Sequence, residues 1–210
     1  MTAIIHVVDD DALFRKGVAR LLRACGYQVA VYESGDGLLA HPPEGAPGCI
    51  LLDLRMAGLG GLELQDRLAA IGHALPIVFL TGHGDIPASV RAIKAGAEDF
   101  LSKPVPKETL LGAIERAVVR CEKAQVDRRR LDGLRALVAT LTPREHEVFK
   151  LVVRGRLNKQ IAYELGTAER TVKAHRHCIM QKLQVRSVAE AVSMAEHLGV
   201  LTDAGAHDNK

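Results

Sequence analysis

Apolar and polar positions along this chain switch between two periods, and the switches mark out its elements. Ile4-Ile5-His6-Val7-Val8 is a short apolar run that reads as a strand and leads into Asp9-Asp10-Asp11. Within it His6 reads as a packed strand residue rather than a ligand. Helical spacing follows at Leu13/Phe14, Val18 and Leu21/Leu22, with Gly26 as the stop. Tyr27 to Tyr32 predicts a second strand, a short helix comes next, and His41 to Gly48, with three prolines, is a loop. Cys49-Ile50-Leu51-Leu52 then puts four apolar residues in a row before Asp53, the pattern of a strand buried on both faces. After the Gly-rich loop Met56 to Gly61, Leu62 to Ala70 reads as helix. Pro76 opens a strand over Ile77–Leu80 that ends in Thr81-Gly82-His83-Gly84. Asp85 as N-cap and Pro87 in the first turn start another helix, which Gly96 ends. Glu98 to Leu101 predicts a fifth strand ending in Ser102-Lys103-Pro104, and Leu110/Leu111, Ile114, Ala117/Val118 and Cys121 stripe a closing helix.

Five strand–helix repeats predict an α/β doubly wound, five-stranded parallel sheet over residues 1–120. In the flavodoxin-like strand order, the ends of the first, third, fourth and fifth strands meet on one edge. That edge collects Asp9, Asp10, Asp53, Thr81 and Lys103. Residues 121–139 are polar and charged, including Arg128-Arg129-Arg130, yet Leu131, Leu134 and Leu137/Val138 recur at helical spacing, so a helical linker is expected. Thr142-Pro143-Arg144-Glu145 opens a further helix with core positions Val148, Leu151 and Val152. Asn158–Leu165, closed by Gly166, Thr171–Leu183 and Val188–Leu198 complete an all-α four-helix domain over 140–202, and 203–210 reads as a disordered tail. A short helix, a Gly-containing turn and a basic helix follow one another in helix-turn-helix order.

Composition narrows the class. No stretch is apolar for long enough to span a bilayer, and Met1-Thr2-Ala3, which lacks basic residues and has acids following at Asp9, Asp10 and Asp11, does not resemble a signal peptide. The four cysteines are scattered without metal-ligand spacing and read as reduced, mostly packed thiols of a cytoplasmic protein. Residues 1–120 carry 12 Lys+Arg against 14 Asp+Glu, whereas 121–210 carry 16 against 11. A mildly acidic first part joined to a basic second part points to nucleic acid as the partner of the latter.

The acids carry chemistry. Clustered carboxylates repel one another and attract a hard divalent cation, most naturally Mg²⁺. A metal beside Asp53 would neutralise an incoming phosphoryl group held in line with a carboxylate nucleophile. Lys103 offers a compact positive charge for phosphoryl oxygens, and Thr81 a hydroxyl donor.

Val7-Val8-Asp9-Asp10, Leu52-Asp53-Leu54-Arg55-Met56, Leu80-Thr81-Gly82 and Lys103-Pro104 together resemble the receiver domain of two-component response regulators. The resemblance implies that Asp53 is the phosphoacceptor and that Asp9, Asp10, Asp53 and the Arg55 backbone carbonyl hold Mg²⁺. It also implies a cis peptide before Pro104 and makes Thr81 and Phe100 the switch residues, Phe100 turning inward on activation. Ala57 departs from the family, which usually has proline after the methionine. Aspartyl-phosphate phosphatases share a strand-end aspartate but usually carry a second acid two residues on, where this chain has Arg55, so no enzymatic turnover is expected. A ligand-sensing LuxR-type regulator is the other rival, and the acid constellation argues against it.

Leu141-Thr142-Pro143-Arg144-Glu145, Asn158-Lys159-Gln160-Ile161-Ala162, Arg170 to Arg176 and Ile179 to Leu183 resemble the four-helix LuxR-type DNA-binding domain. Joined to a receiver, this is the layout of the NarL/FixJ branch. The basic helix exposes Lys173, Arg176, His177 and Lys182 while Val172, Ile179 and Leu183 face the core. The DNA-binding set is Asn158, Lys159, Thr167, Thr171, Lys173, Ala174, Arg176 and His177. Leu157 and Ala168 stand where the family often has capping serines, which leaves Asn158 and Thr167 as candidate caps. The implied partners are a histidine kinase, double-stranded promoter DNA and a second copy of the phosphorylated chain, with RNA polymerase a further candidate and no membrane.

Overall fold

The computed structural model describes residues 3–43, 45–82 and 86–200. The expected N-cap Asp85, the residues His83-Gly84 and the tail 203–210 lie outside them. The chain forms two compact units, Met1–Gln125 and Val126–Lys210.

In the first unit β1 (Ile4–Val8), α1 (Ala12–Ala24), β2 (Gln28–Tyr32), α2 (Gly35–Ala40), β3 (Gly48–Asp53), α3 (Gly61–Ala70), β4 (Ile77–Thr81), α4 (Ile86–Lys94) and β5 (Asp99–Ser102) follow one another. The sheet is parallel throughout, in the order β2-β1-β3-β4-β5. Such a sheet buries both faces, and the alternation along each strand decides which side chain goes where. Ile5, Val7, Cys49, Leu51, Val78 and Leu80 face α1 and the start of α5 (Lys107–Ala139) through Val18, Leu22, Leu110 and Ile114. Val8, Ile50, Leu52 and Phe79 face α2, α3 and α4 through Leu38, Leu64, Leu68 and Ala92. All six residues of β3 are buried, which is why its sequence shows no alternation.

One glycine sets how closely two strands approach. A Cβ on Gly48 would lie 1.9 Å from the Ile4 carbonyl oxygen, its register partner on β1. The second strand starts at Gln28 rather than Tyr27, because the Tyr27 N–H donates to the Leu22 carbonyl and closes α1. The fifth is Asp99–Ser102, one residue later than its apolar pattern predicts.

His6 is buried, as a packed strand residue should be, with Nδ1 3.2 Å from the Tyr32 hydroxyl. Burial, reinforced by nearby His73, pushes its pKa down to about 4. An unfolded histidine binds its proton near 6.5, so between these values the unfolded chain takes up a proton that the folded unit refuses. Stability attributable to His6 is therefore intact above neutrality and falls with pH, by about 2 kcal/mol at pH 5. Urea unfolding at pH 7 and pH 5 should show a larger acid loss for the wild type than for His6→Gln. Equal losses would contradict this.

α5 runs unbroken through Gln125, where the first unit ends, to Ala139. In the second unit α6 (Pro143–Val153), α7 (Asn158–Glu164), α8 (Glu169–Lys182) and α9 (Val188–His197) enclose a core of Val148, Phe149, Val152, Ile161, Val172 and Ile179, among others. Leu134, Leu137 and Val138 of α5 pack against it. Thr142 caps α6 in a reciprocal box with Glu145. None of the four cysteines is in a disulfide; Cys49 and Cys121 are buried, but Cys25 and Cys178 are exposed, so only half are packed thiols. Among the described residues no helix is long and apolar enough to cross a membrane.

Candidate functional site

Each chemistry-bearing residue of the first unit sits where a strand ends, because a parallel sheet delivers its strands' carboxyl ends to one edge. Asp9 follows β1 and is almost fully buried. Its Oδ1 accepts the Asp11 N–H at 2.9 Å, and Asp11 in turn caps α1 by accepting from Leu13 and Phe14. Asp53 ends β3, and Asp10 is exposed beside it. One carboxylate oxygen from each of Asp9, Asp10 and Asp53 lies within 4.8 Å of the others.

Lys103, the residue after β5, closes the cluster. Its Nζ lies 2.6 Å from Asp9 Oδ2 and 3.3 Å from Asp53 Oδ1, and 3.9 Å from the centre of the Phe14 ring. Its main-chain N–H donates to the Thr81 carbonyl at 2.6 Å, and the peptide to Pro104 is cis, as the resemblance implies. Burial raises the pKa of Asp53 and Asp9 adds to the rise, while Lys103 opposes both. Two buried acids sharing one ammonium have room for more positive charge, and all the donors are hard oxygens. The set fits a hard divalent cation.

Thr81 is fully buried at the end of β4, opposite Ser102 in register. Phe100 is half-buried, its ring 6.0 Å from that of Phe79 and tilted by 36°. Arg55 is exposed in the loop leaving Asp53. The start of α3 lies hard against that loop: the Gly61 N–H donates to the Leu54 carbonyl, and a Cβ on Gly61 would stand 2.4 Å from the Asp53 carbonyl oxygen. Three contributors carry no sequence signal of their own. Phe14 and Arg15 read only as helix residues, yet the Phe14 ring faces Lys103 and Arg15 donates to the Asp9 carbonyl. The Ala57 main-chain N–H donates to Asp10 Oδ2 at 2.9 Å, a bond no side-chain pattern announces.

In the second unit α8 exposes Thr171, Lys173, Ala174 and His177, and α7 exposes Lys159. Arg176 is half-buried, and its Nη1 donates to Asn158 Oδ1 at 3.1 Å, tying α8 to α7. Three expectations need correction. Asn158 is the first helical residue of α7, not its cap; the cap is Leu157, whose N–H donates to Gln160 Oε1 at 2.9 Å. Thr167 does not cap α8, which begins at Glu169 after an N-cap Ala168 without a side-chain hydrogen bond; the Thr167 N–H instead closes the turn onto the Ala162 carbonyl. Lys182 is not a free surface charge, because its ammonium bonds to Glu145. That contact, with the Thr142 N–H, pulls the Glu145 carboxyl down to about 2.

The chain matches two family models: a response regulator receiver domain over residues 5–115, and bacterial regulatory proteins of the luxR family over 139–195. It is 44% identical to nodulation protein W of Bradyrhizobium diazoefficiens over 198 residues, covering 94% of this chain and 87% of that one. It is 38% identical to the transcriptional regulatory protein FixJ of the same organism over 199 residues, covering 95% and 97%. Among solved structures it is similar to the response regulator StyR, with 47% identity, a TM-score of 0.82, and coverage of 93% of this chain and 99% of that one.

Proposed function

From the premise that this chain belongs to the two-component response regulators of the NarL/FixJ branch, and is a transcriptional regulator with a LuxR-type DNA-binding domain, we propose a residue-level account of its switch. Asp53 is the phosphoacceptor, and a histidine kinase is the donor. The observation that carries this is Lys103 Nζ held between Asp9 and Asp53, the cation already poised where phosphoryl oxygens would arrive. Asp9, Asp10, Asp53 and the Arg55 backbone carbonyl hold Mg²⁺, which when bound neutralises the acids and the incoming phosphoryl charge. Thr81 donates its hydroxyl to the phosphoryl group, and Lys103 leaves the carboxylates for it.

That exchange favours an active conformation over the resting one, with Thr81 and Phe100 as the residues that move. The output is a homodimer through the fourth and fifth strand–helix units, supported by the exposure of Ile86, Val90 and Ile93 on α4. Two copies of the second unit then engage adjacent half-sites on a promoter, in the cytoplasm, with RNA polymerase as the downstream partner. Lys103→Ala should still accept phosphoryl from acetyl phosphate but remain monomeric by sedimentation. A dimer like that of the phosphorylated wild type would contradict the role given to Lys103.

On DNA, the contacts divide by kind. Lys173 stands in the first part of α8, the part of a recognition helix that reaches base edges. His177, one turn on, shares its face, and Thr171 and Ala174 flank it. Asn158, Lys159, Thr167 and Arg176 position the helix against the phosphates. Lys173→Ala should cost about 1–3 kcal/mol on a selected operator and narrow the gap to scrambled DNA. Lys159→Ala should weaken both duplexes alike and lower the salt dependence by about one contact. A salt series on each mutant separates the two; equal weakening of both duplexes by Lys173→Ala would make Lys173 a phosphate contact.

A further inference from the structure

We propose that the main-chain N–H of Ala57 is a positioning group for the cation site, holding Asp10 ready to bind Mg²⁺. This rests on the reading that Asp9, Asp10 and Asp53 form that site. The three acids are held in different ways. Asp9 and Asp53 are buried and bridged by Lys103, so packing and an ion pair fix them. Asp10 is exposed, and an exposed carboxylate loses rotamer freedom when a metal fixes it. Here a main-chain donor from the β3–α3 loop lies 2.9 Å from its Oδ2 and meets that cost before the cation arrives.

One N–H leaves capacity for a metal, because a carboxylate offers about four lone-pair directions. The bond is charge-assisted and therefore stronger than a neutral one. It also acts on a second proposed ligand, since Arg55 lies two residues before Ala57 in the same loop and the bond ties that loop to Asp10. Proline, the residue the family usually has here, carries no N–H and would leave Asp10 without this tether. The side chain of residue 57 takes no part, so the assignment is to the backbone donor alone.

The test is calorimetric titration of the full chain with Mg²⁺ alone. Ala57→Ser keeps the N–H and should bind like the wild type. Ala57→Pro removes it and should bind about tenfold more weakly, the usual range for losing a group that orients a metal ligand. Replacing Ala57 by lactic acid, which exchanges the amide for an ester and deletes only the N–H, should give the same loss even if the proline variant misfolds. Thermal unfolding without Mg²⁺ reports whether each variant is folded. Unchanged or tighter binding by the ester variant overturns the proposal, as does a loss in Ala57→Ser equal to that of the ester. If the wild type itself binds no Mg²⁺, the reading of the site falls and takes this proposal with it.

Discussion

Asp53→Asn takes up no phosphoryl group from acetyl phosphate and Mg²⁺, and it folds as well as the wild type. The amide keeps the shape of the carboxylate at the end of a strand buried along its whole length, but it lacks the nucleophilic oxygen pair. Stability should not suffer, because two opposing changes meet at this position. Lys103 loses one of its two acidic partners and keeps the nearer one, Asp9. At the same time a buried charge next to Asp9 disappears; burial and Asp9 already raise the Asp53 pKa, the sign of a carboxylate that its surroundings do not favour. Intact mass after incubation with the phosphodonor reads the first expectation and urea unfolding the second. Labelling of the variant to the wild-type extent would move the nucleophile elsewhere.

Gly61→Ala should damage both fold and chemistry with a single methyl group. The new Cβ would meet the Asp53 carbonyl oxygen at 2.4 Å, the Phe79 ring at 3.0 Å and the Leu54 Cα at 3.1 Å. Two of these three are main chain and cannot rotate away, so either α3 or the end of β3 must shift. Overpacking of this kind costs about 1–3 kcal/mol. The shift falls on Asp53, the proposed phosphoacceptor, and misplacement of a reacting group by about 1 Å slows reactions up to about a hundredfold. Denaturant midpoints and the rate of labelling by acetyl phosphate measure the two effects separately. Alanine tolerated in both measurements would mean that α3 moves away freely and does not brace Asp53.

What the sequence disclosed and what it hid follow from the range of each interaction. The run Cys49 to Leu52 announced a doubly buried strand because burial on both faces removes alternation, and the strand ends followed once the order of strands was assumed. The helical linker was legible in Leu131, Leu134 and Leu137 despite the charges around them, and Leu134 and Leu137 do carry α5 onto the second core. Lys182 misled because its acid lies 37 residues earlier, on another helix, and a charge on a basic helix gives no hint of a private partner. The caps of α7 and α8 misled for a different reason. Where the capping side chain is missing, as at Leu157 and Ala168, the backbone still begins the helix there, and a neighbouring Asn158 or Thr167 does not take over. Main-chain donors were wholly invisible: Ala57 reads as a small loop residue, and its contact with Asp10 exists only once β1 and β3 lie side by side.

The most direct test joins the two units through one covalent event. Full-length wild-type chain and Asp53→Asn are both incubated with acetyl phosphate and Mg²⁺, then titrated onto an operator selected from random sequence at fixed salt. The wild type should bind at least about tenfold more tightly than the variant, within the usual range of coupling between sites. The difference should vanish when the phosphodonor is omitted. Equal affinities with the wild type fully phosphorylated would contradict this.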